Sequence, residues 1–283
     1  MQNVNKENIL DFVIVGAAKS GTSSLSYYLG EHPDVFLPKP QLHFHSRIDK
    51  TDNSWGQYAE HFRAATPGQK FGEHSPFYYT HEEAASSLSA SCPGLKLIWL
   101  LRHPIDRAWS HYWYNVMGGS EHVSPQDIIH HERWQKIYIR KSVYSTFLET
   151  YLSYFNRQNM MFVFTEKLRE SPDDVLMHIC RFIGVDDSFS FKRSGEMKRR
   201  TVRPGNVPLH QRLGRIRATK LVSIPGVPRI LQGINHWNLS CELPYPEIPQ
   251  AEKKKLEEYF QPFNLRLSKL IDIDVNEIWH NNV

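Results

Sequence analysis

Cysteine is scarce, with three residues at positions 92, 180 and 241 and no C-x-x-C pair. So small and scattered a set excludes a disulfide framework or a cysteine-rich zinc site and fits a reducing, cytoplasmic compartment. Long apolar runs are missing too. Leu97-Ile-Trp-Leu-Leu101 is far too short to cross a bilayer. The first ten residues are polar and lack the apolar stretch of a secretory signal. Charge of one sign is not in excess: 34 Lys and Arg oppose 30 Asp and Glu, and no dense basic tail occurs. A net charge of +4 suits an anionic ligand without calling for nucleic acid. Internal repeats and low-complexity tracts are absent, and 283 residues with 40% hydrophobic content suffice for one large core. The expectation is a single domain over 1–283.

One further absence is chemical. Phe12-Val-Ile-Val15 reads as a buried strand ended by Gly16, and Leu25, Tyr28 and Leu29 recur at helical spacing from Thr22 onward. The small-residue loop Gly16–Gly21 between them brings backbone N–H groups to a helix N-terminus, which is an anion cradle. The triphosphate form of this device has a lysine directly after its second glycine. Here Thr22 follows Gly21, and the lysine is Lys19, inside the loop. That arrangement suits an anion smaller than a magnesium-bound triphosphate.

Further strands are expected at Leu95–Leu101, apolar on both faces, and at Met161–Phe164. Phe71-Gly-Glu-His-Ser-Pro76 reads as a strand end feeding a loop that carries Glu73. Helices are expected over Glu82–Ala90, after Pro104 with the stripe Ile105, Ala108, Trp109, Tyr112 and Val116, over about Ser142–Asn156, and from a capping box at Ser171-Pro-Asp-Asp174 to Gly184. A last helix near Gln250–Leu270 would bury Leu256, Tyr259, Phe260, Phe263 and Leu267. Gly118–Lys141 reads as polar, and 191–249 as a basic, Pro/Gly-punctuated segment. Alternation of this kind implies an α/β fold: a central parallel sheet flanked by helices, with ligands at the carboxyl ends of its strands. Arg102 stands at such an end. Ser110, about two helical turns into the next helix and off its apolar stripe, could join it in clamping a second phosphate.

Together these residues carry a resemblance. Ala18-Lys-Ser-Gly-Thr-Ser23 and Leu100-Leu-Arg-His-Pro-Ile-Asp-Arg-Ala-Trp-Ser-His-Tyr112 resemble the two phosphate motifs of the sulfotransferase family, whose donor is 3′-phosphoadenosine 5′-phosphosulfate (PAPS). His32-Pro-Asp-Val35, Leu42-His-Phe44, Gly72-Glu-His-Ser-Pro76, Ser142-Val-Tyr144 and Phe182-Ile-Gly-Val185 are similar to the subgroup of bacterial enzymes and heparan sulfate O- and N-sulfotransferases. The resemblance implies a P-loop-like sheet and a 5′-phosphosulfate held by Lys19, Ser20, Gly21, Thr22, Ser23 and Ser24. It also implies a 3′-phosphate held by Arg102 and Ser110, and a basic loop at Arg199, Arg200 and Arg203 closing over the nucleotide. Lys19 would neutralise charge growing on the bridging oxygen, with no metal required.

On the acceptor side, relatives place a glutamate base where Gln41 stands, and Gln41 cannot take a proton. In an extended segment His43 would point the same way as Gln41 and could replace it, with Glu73 as a second candidate. His74, at a position where relatives often carry lysine, and Tyr144 complete the expected acceptor contacts. Trp55, Tyr78, Tyr79, Trp113 and Trp134 could line a cleft for a saccharide, although most of them read as packing. The rival readings are a P-loop kinase and a non-catalytic protein that binds PAPS or sulfated glycans. The donor product, PAP, is a ligand expected of the enzyme and of a PAPS-binding protein, and not of the kinase.

Overall fold

The two strongest strand patterns become the centre of a sheet. The computed structural model describes residues 9–196, 203–217, 231–234, 238 and 243–280. Among these, β1 (Phe12–Gly16), β2 (Val35–Phe36), β3 (Lys70–His74), β4 (Lys96–Leu101) and β5 (Met160–Phe164) lie in the order β2-β3-β1-β4-β5, with every neighbouring pair parallel. β1 and β4 divide their side chains by the period of two. Phe12, Ile14, Ile98 and Leu100 enter one apolar core, whereas Val13, Val15, Leu97, Trp99 and Leu101 enter another. A strand buried on both faces needs apolar residues at every position, which is why these runs do not alternate. On one side, α1 (Thr22–Leu29) and α8 (Pro172–Ile183) contribute Leu25, Leu29, Leu176 and Ile179. On the other, α3 (Glu82–Ser91) and α6 (Tyr144–Leu152) contribute Leu88, Leu148 and Tyr151. The expected parallel α/β architecture is what the chain adopts.

The described residues group into two compact units. The first takes in Met1–His103, Val143–Arg199 and Pro262–Val283 and contains the sheet and both of these cores. The second takes in Pro104–Ser142 and Arg200–Gln261. It holds α4 (Pro104–Met117), α5 (Pro125–Ile128), a π-helical turn at Trp134–Ile139 and α9 (Val207–Arg217). Its interior is aromatic: Trp109 stacks on Tyr112 with ring centroids 5.0 Å apart and meets Trp134 edge-on at 5.7 Å.

Several sequence expectations are corrected. Residues 118–141 are less polar than their composition suggests, because Trp134 and Tyr138, four apart, are both buried. α4 is not a one-sided stripe, since Arg107, Ser110, His111 and Trp113 are buried with the apolar positions. α6 starts two residues later and stops at Leu152, where Tyr154 N–H and Phe155 N–H both turn back to Tyr151 O. Ser171 precedes α8 without a side-chain cap, although Asp173 and Asp174 do occupy the first turn and Gly184 closes the helix in the left-handed conformation. In the helix Gln250–Ile271, Leu256, Phe260 and Leu267 are buried, while Tyr259 is exposed. Of the aromatic residues that could line a cleft, Tyr78, Tyr79, Trp113 and Trp134 take the packing role expected of most of them. Each is at most 1% exposed.

Candidate functional site

The loop after β1 is tightly constrained. Gly16 has φ +152°, and a Cβ there would run into the Tyr79 ring and the Pro76 carbonyl oxygen. Ala17 N–H continues the sheet by donating to Leu100 O at 2.7 Å, and Ser20 N–H turns back to Ala17 O at 3.1 Å. Lys19 (φ +76°) and Gly21 (φ +89°) are both left-handed, an uncommon state for a lysine that clusters at functional sites. α1 then begins with no side-chain cap and no acidic residue in its first turn. Backbone N–H groups and the positive end of the helix dipole are thus left to a ligand.

Arg102, half-buried at the end of β4, donates from Nη1 to Lys19 O at 3.3 Å. Among the described residues, Ser20 Oγ and Arg102 Nε are buried without a hydrogen-bond partner. A buried polar atom left unpaired costs about 1–3 kcal/mol, so each of these two donors is suited to an anionic group of a ligand. This loop is held by a residue the sequence reading passed over. Thr165 Oγ1, just past β5, lies 2.7 Å from Ser20 O and 3.0 Å from Leu101 O and donates to one or the other. Its place at the carboxyl end of a parallel strand was the available signal. Glu166 follows, accepting from His103 N–H at 3.1 Å. Tyr144 OH donates to Arg102 O at 2.9 Å, so its polar end is committed to the same strand end.

Ser110 lies in the second unit and is 2% exposed. In the same unit, Arg203 pairs with Leu243 as an isolated antiparallel bridge and donates from Nε to Pro244 O at 3.1 Å. Arg199 and Arg200 lie outside the described residues.

The segment Gln41–Ser46 is a second cluster in the first unit. It is not extended: His43 has φ +49°. His43 and Gln41 nevertheless come together, with Nε2 3.3 Å from Gln41 Oε1. An amide oxygen only accepts, so this pairing puts the proton on Nε2 and leaves the lone pair on Nδ1. Burial, then the charges of His81 and Arg47, lower the His43 pKa, which keeps the ring neutral near pH 7.

Glu73 does not sit on the loop after β3. It is in the strand itself, opposite Val13, and is fully buried. Its Oε1 accepts from Ser75 Oγ and Tyr78 OH, and its Oε2 from Tyr58 OH, each at 2.6 Å. Burial raises the Glu73 pKa, and the three hydroxyl donors oppose that rise. His74, the next residue of β3, is 7% exposed.

Comparison with known proteins bears on this geometry. The Sulfotransferase domain family matches residues 10–200, which include the β1–α1 loop, Gln41–Ser46, Glu73 and Arg102. Heparan sulfate glucosamine 3-O-sulfotransferase 6 of Homo sapiens is 27% identical over 278 residues, covering 93% of this chain and 72% of that protein. Heparan sulfate glucosamine 3-O-sulfotransferase 3B1 of Homo sapiens is 26% identical over 275 residues, with this chain spanning 63% of its length. In fold, the chain is similar to a sulfotransferase from Alicyclobacillus acidocaldarius, with a TM-score of 0.68, 24% identity and coverage of 95% of this chain and 98% of that one. The lysine within the loop, rather than after it, agrees with this family and not with a triphosphate kinase. A match over two-thirds of the chain, in register with the anion loop, means that this protein belongs to the sulfotransferase family and is a sulfotransferase enzyme.

Proposed function

We propose that the protein transfers a sulfuryl group from PAPS to a hydroxyl group of a saccharide. The observation that carries the donor assignment is the β1–α1 loop, with Lys19 and Gly21 left-handed, Ser20 Oγ buried and unpartnered, and α1 uncapped. When bound, PAPS supplies a sulfuryl group whose departure leaves negative charge on the phosphate oxygen that bridged to sulfur. Lys19 and the backbone N–H groups around Gly21 are the donors that meet this charge, fixed before the reaction begins. Ser20, Thr22, Ser23 and Ser24 hold the 5′-phosphate, and Arg102 takes the 3′-phosphate through its unpartnered Nε. On the other side of the reaction, the acceptor O–H gives its proton to His43 Nδ1 as its oxygen bonds to sulfur, and the S–O electron pair stays with the departing phosphate. Gln41 holds the imidazole by Nε2, so the nitrogen that must be unprotonated is the one left open.

The saccharide acceptor is supported by the named substrates of the two human relatives. Exposed Arg47, whose charge acts on His43, and half-buried Lys50, which donates to Arg47 O, suit an anionic sugar chain. A cytoplasmic compartment belongs to the same proposal, supported by Cys92 and Cys180 being buried thiols.

Calorimetry with PAP, with and without EDTA, tests the donor site, and labelled PAPS with N-sulfated heparan oligosaccharides tests the acceptor. Micromolar PAP binding indifferent to EDTA and label transfer to the oligosaccharides are expected. Absence of PAP binding overturns the donor assignment. PAP binding with transfer only to small phenols or alcohols overturns the saccharide.

A further inference from the structure

Three consecutive residues of the acceptor segment rest on three side chains that share one buried carboxylate. His43 N–H donates to Ser75 Oγ at 3.0 Å, and Ser75 Oγ donates to Glu73 Oε1 at 2.6 Å. The Phe44 ring stacks on Tyr58, centroids 4.4 Å apart and planes at 15°, and Tyr58 OH donates to Glu73 Oε2. His45 N–H donates to Tyr78 OH at 2.8 Å, and Tyr78 OH donates to Glu73 Oε1. The Ser75 and Tyr78 hydroxyls can accept from the backbone because their own protons are given to the carboxylate. The ionised form of Glu73 is the one that accepts three times, and a hydroxyl bonded to a charged acceptor is a stronger and more directional link than a neutral pair. Burial and the charge of Glu73 raise the Tyr58 and Tyr78 pKa values well above the usual range, so both remain donors.

We infer that Glu73 is a positioning residue, which holds His43 in its left-handed conformation through Ser75 while Tyr58 and Tyr78 fix the two residues that follow. This rests on the reading of His43 as the base. A residue with φ +49° and a Cβ is held there by its surroundings, and the bond from its N–H to Ser75 is the direct restraint. Glu73 is 0% exposed and already occupied by hydroxyls, so it orients the base without reaching the acceptor. The groups that face the His43 ring are Gln41 and Arg47 from its own segment, Phe77 and Tyr78 after β3, and His81 before α3.

Ser75→Ala removes the acceptor of His43 N–H and leaves Tyr58 and Tyr78 on Glu73, and Ser75→Thr restores a hydroxyl. The His43 imidazole is titrated by NMR in each protein, alongside kcat, KM for PAPS and the pH profile on an N-sulfated heparan oligosaccharide. In Ser75→Ala the His43 titration should move up toward that of an exposed histidine, the acid limb of the kcat profile should move with it, and kcat should fall roughly 10- to 100-fold at unchanged KM for PAPS. Ser75→Thr should return all three, and Glu73→Gln, where it folds, should shift the same titration. A Ser75→Ala protein with wild-type His43 titration and wild-type kcat overturns the inference. Full activity in His43→Ala overturns the base reading instead, and the NMR shift in Ser75→Ala still decides whether the Glu73 cluster orients the ring.

Discussion

At the scale of single residues, two side chains carry opposite halves of the proposed chemistry. His43→Ala should lower kcat by roughly 10²- to 10⁴-fold with PAP affinity little changed, since a positioned base is worth about that much. Because burial lowers its pKa, the wild-type rate should hold to a pH somewhat below 6.5 before protonation of Nδ1 reduces it. A rate that is flat across that range would remove His43 from the reaction. Gln41→Glu in the His43→Ala background should recover part of the loss by returning a carboxylate to the same place. Arg102 is tested by comparing ligands. Loss of one charge-assisted contact costs about 1.5–3 kcal/mol, so Arg102→Ala should weaken PAP far more than adenosine 5′-phosphosulfate, which lacks the 3′-phosphate. Equal weakening of both would move Arg102 away from that phosphate.

At the scale of elements, the donor site depends on how closely β1 and its loop approach the segment after β3. Gly16 is the point of contact, where any side chain meets both Tyr79 and the backbone at Pro76. Gly16→Ala should destabilise the protein by about 1–3 kcal/mol through overpacking, and it should also reduce PAP affinity, because Ala17–Gly21 hang from that residue. Urea unfolding and calorimetry measure the two effects. Unchanged values for both would mean that the approach is looser than the structure shows. Thr165, just past β5, donates to the loop at Ser20 O or to the end of β4 at Leu101 O, so its removal should affect donor binding before stability.

At the scale of the whole molecule, the response of stability to pH has a traceable source. His45 is buried among Phe44, Trp55, Tyr58 and Tyr78, and burial lowers its pKa to about 3. Between that value and the unfolded value of about 6.5 the unfolded chain binds a proton that the folded chain refuses. Stability contributed by the neutral ring is therefore present above about pH 6.5 and is lost progressively as pH falls toward 3. From pH 7 to pH 5 the loss is about 2 kcal/mol, at about 1.36 kcal/mol per unit below 6.5. Glu73, whose raised pKa acts in the opposite direction, is common to wild type and His45→Phe and cancels in the comparison. Urea unfolding of the two proteins at pH 7 and pH 5 should show the smaller loss in His45→Phe, and equal losses would mean that His45 takes up a proton in place.

Elements whose cause is local are legible in the sequence. The strands at Phe12 and Lys96 follow from unbroken apolar runs, the loop between Gly16 and Gly21 from small residues, and the positions of Lys19 and Arg102 from the motifs that contain them. It also placed Gln41 where a carboxylate was expected, and so directed attention to His43. It could not find the left-handed turn at His43 or the occupied state of Glu73. Those depend on pairings such as Thr165 with Ser20, 145 residues apart, and His43 with Ser75, 32 apart. A side chain's propensity and spacing report its own segment, whereas burial and hydrogen-bond partners are set when distant segments meet, so the chemistry of Glu73 was decided only by the tertiary structure.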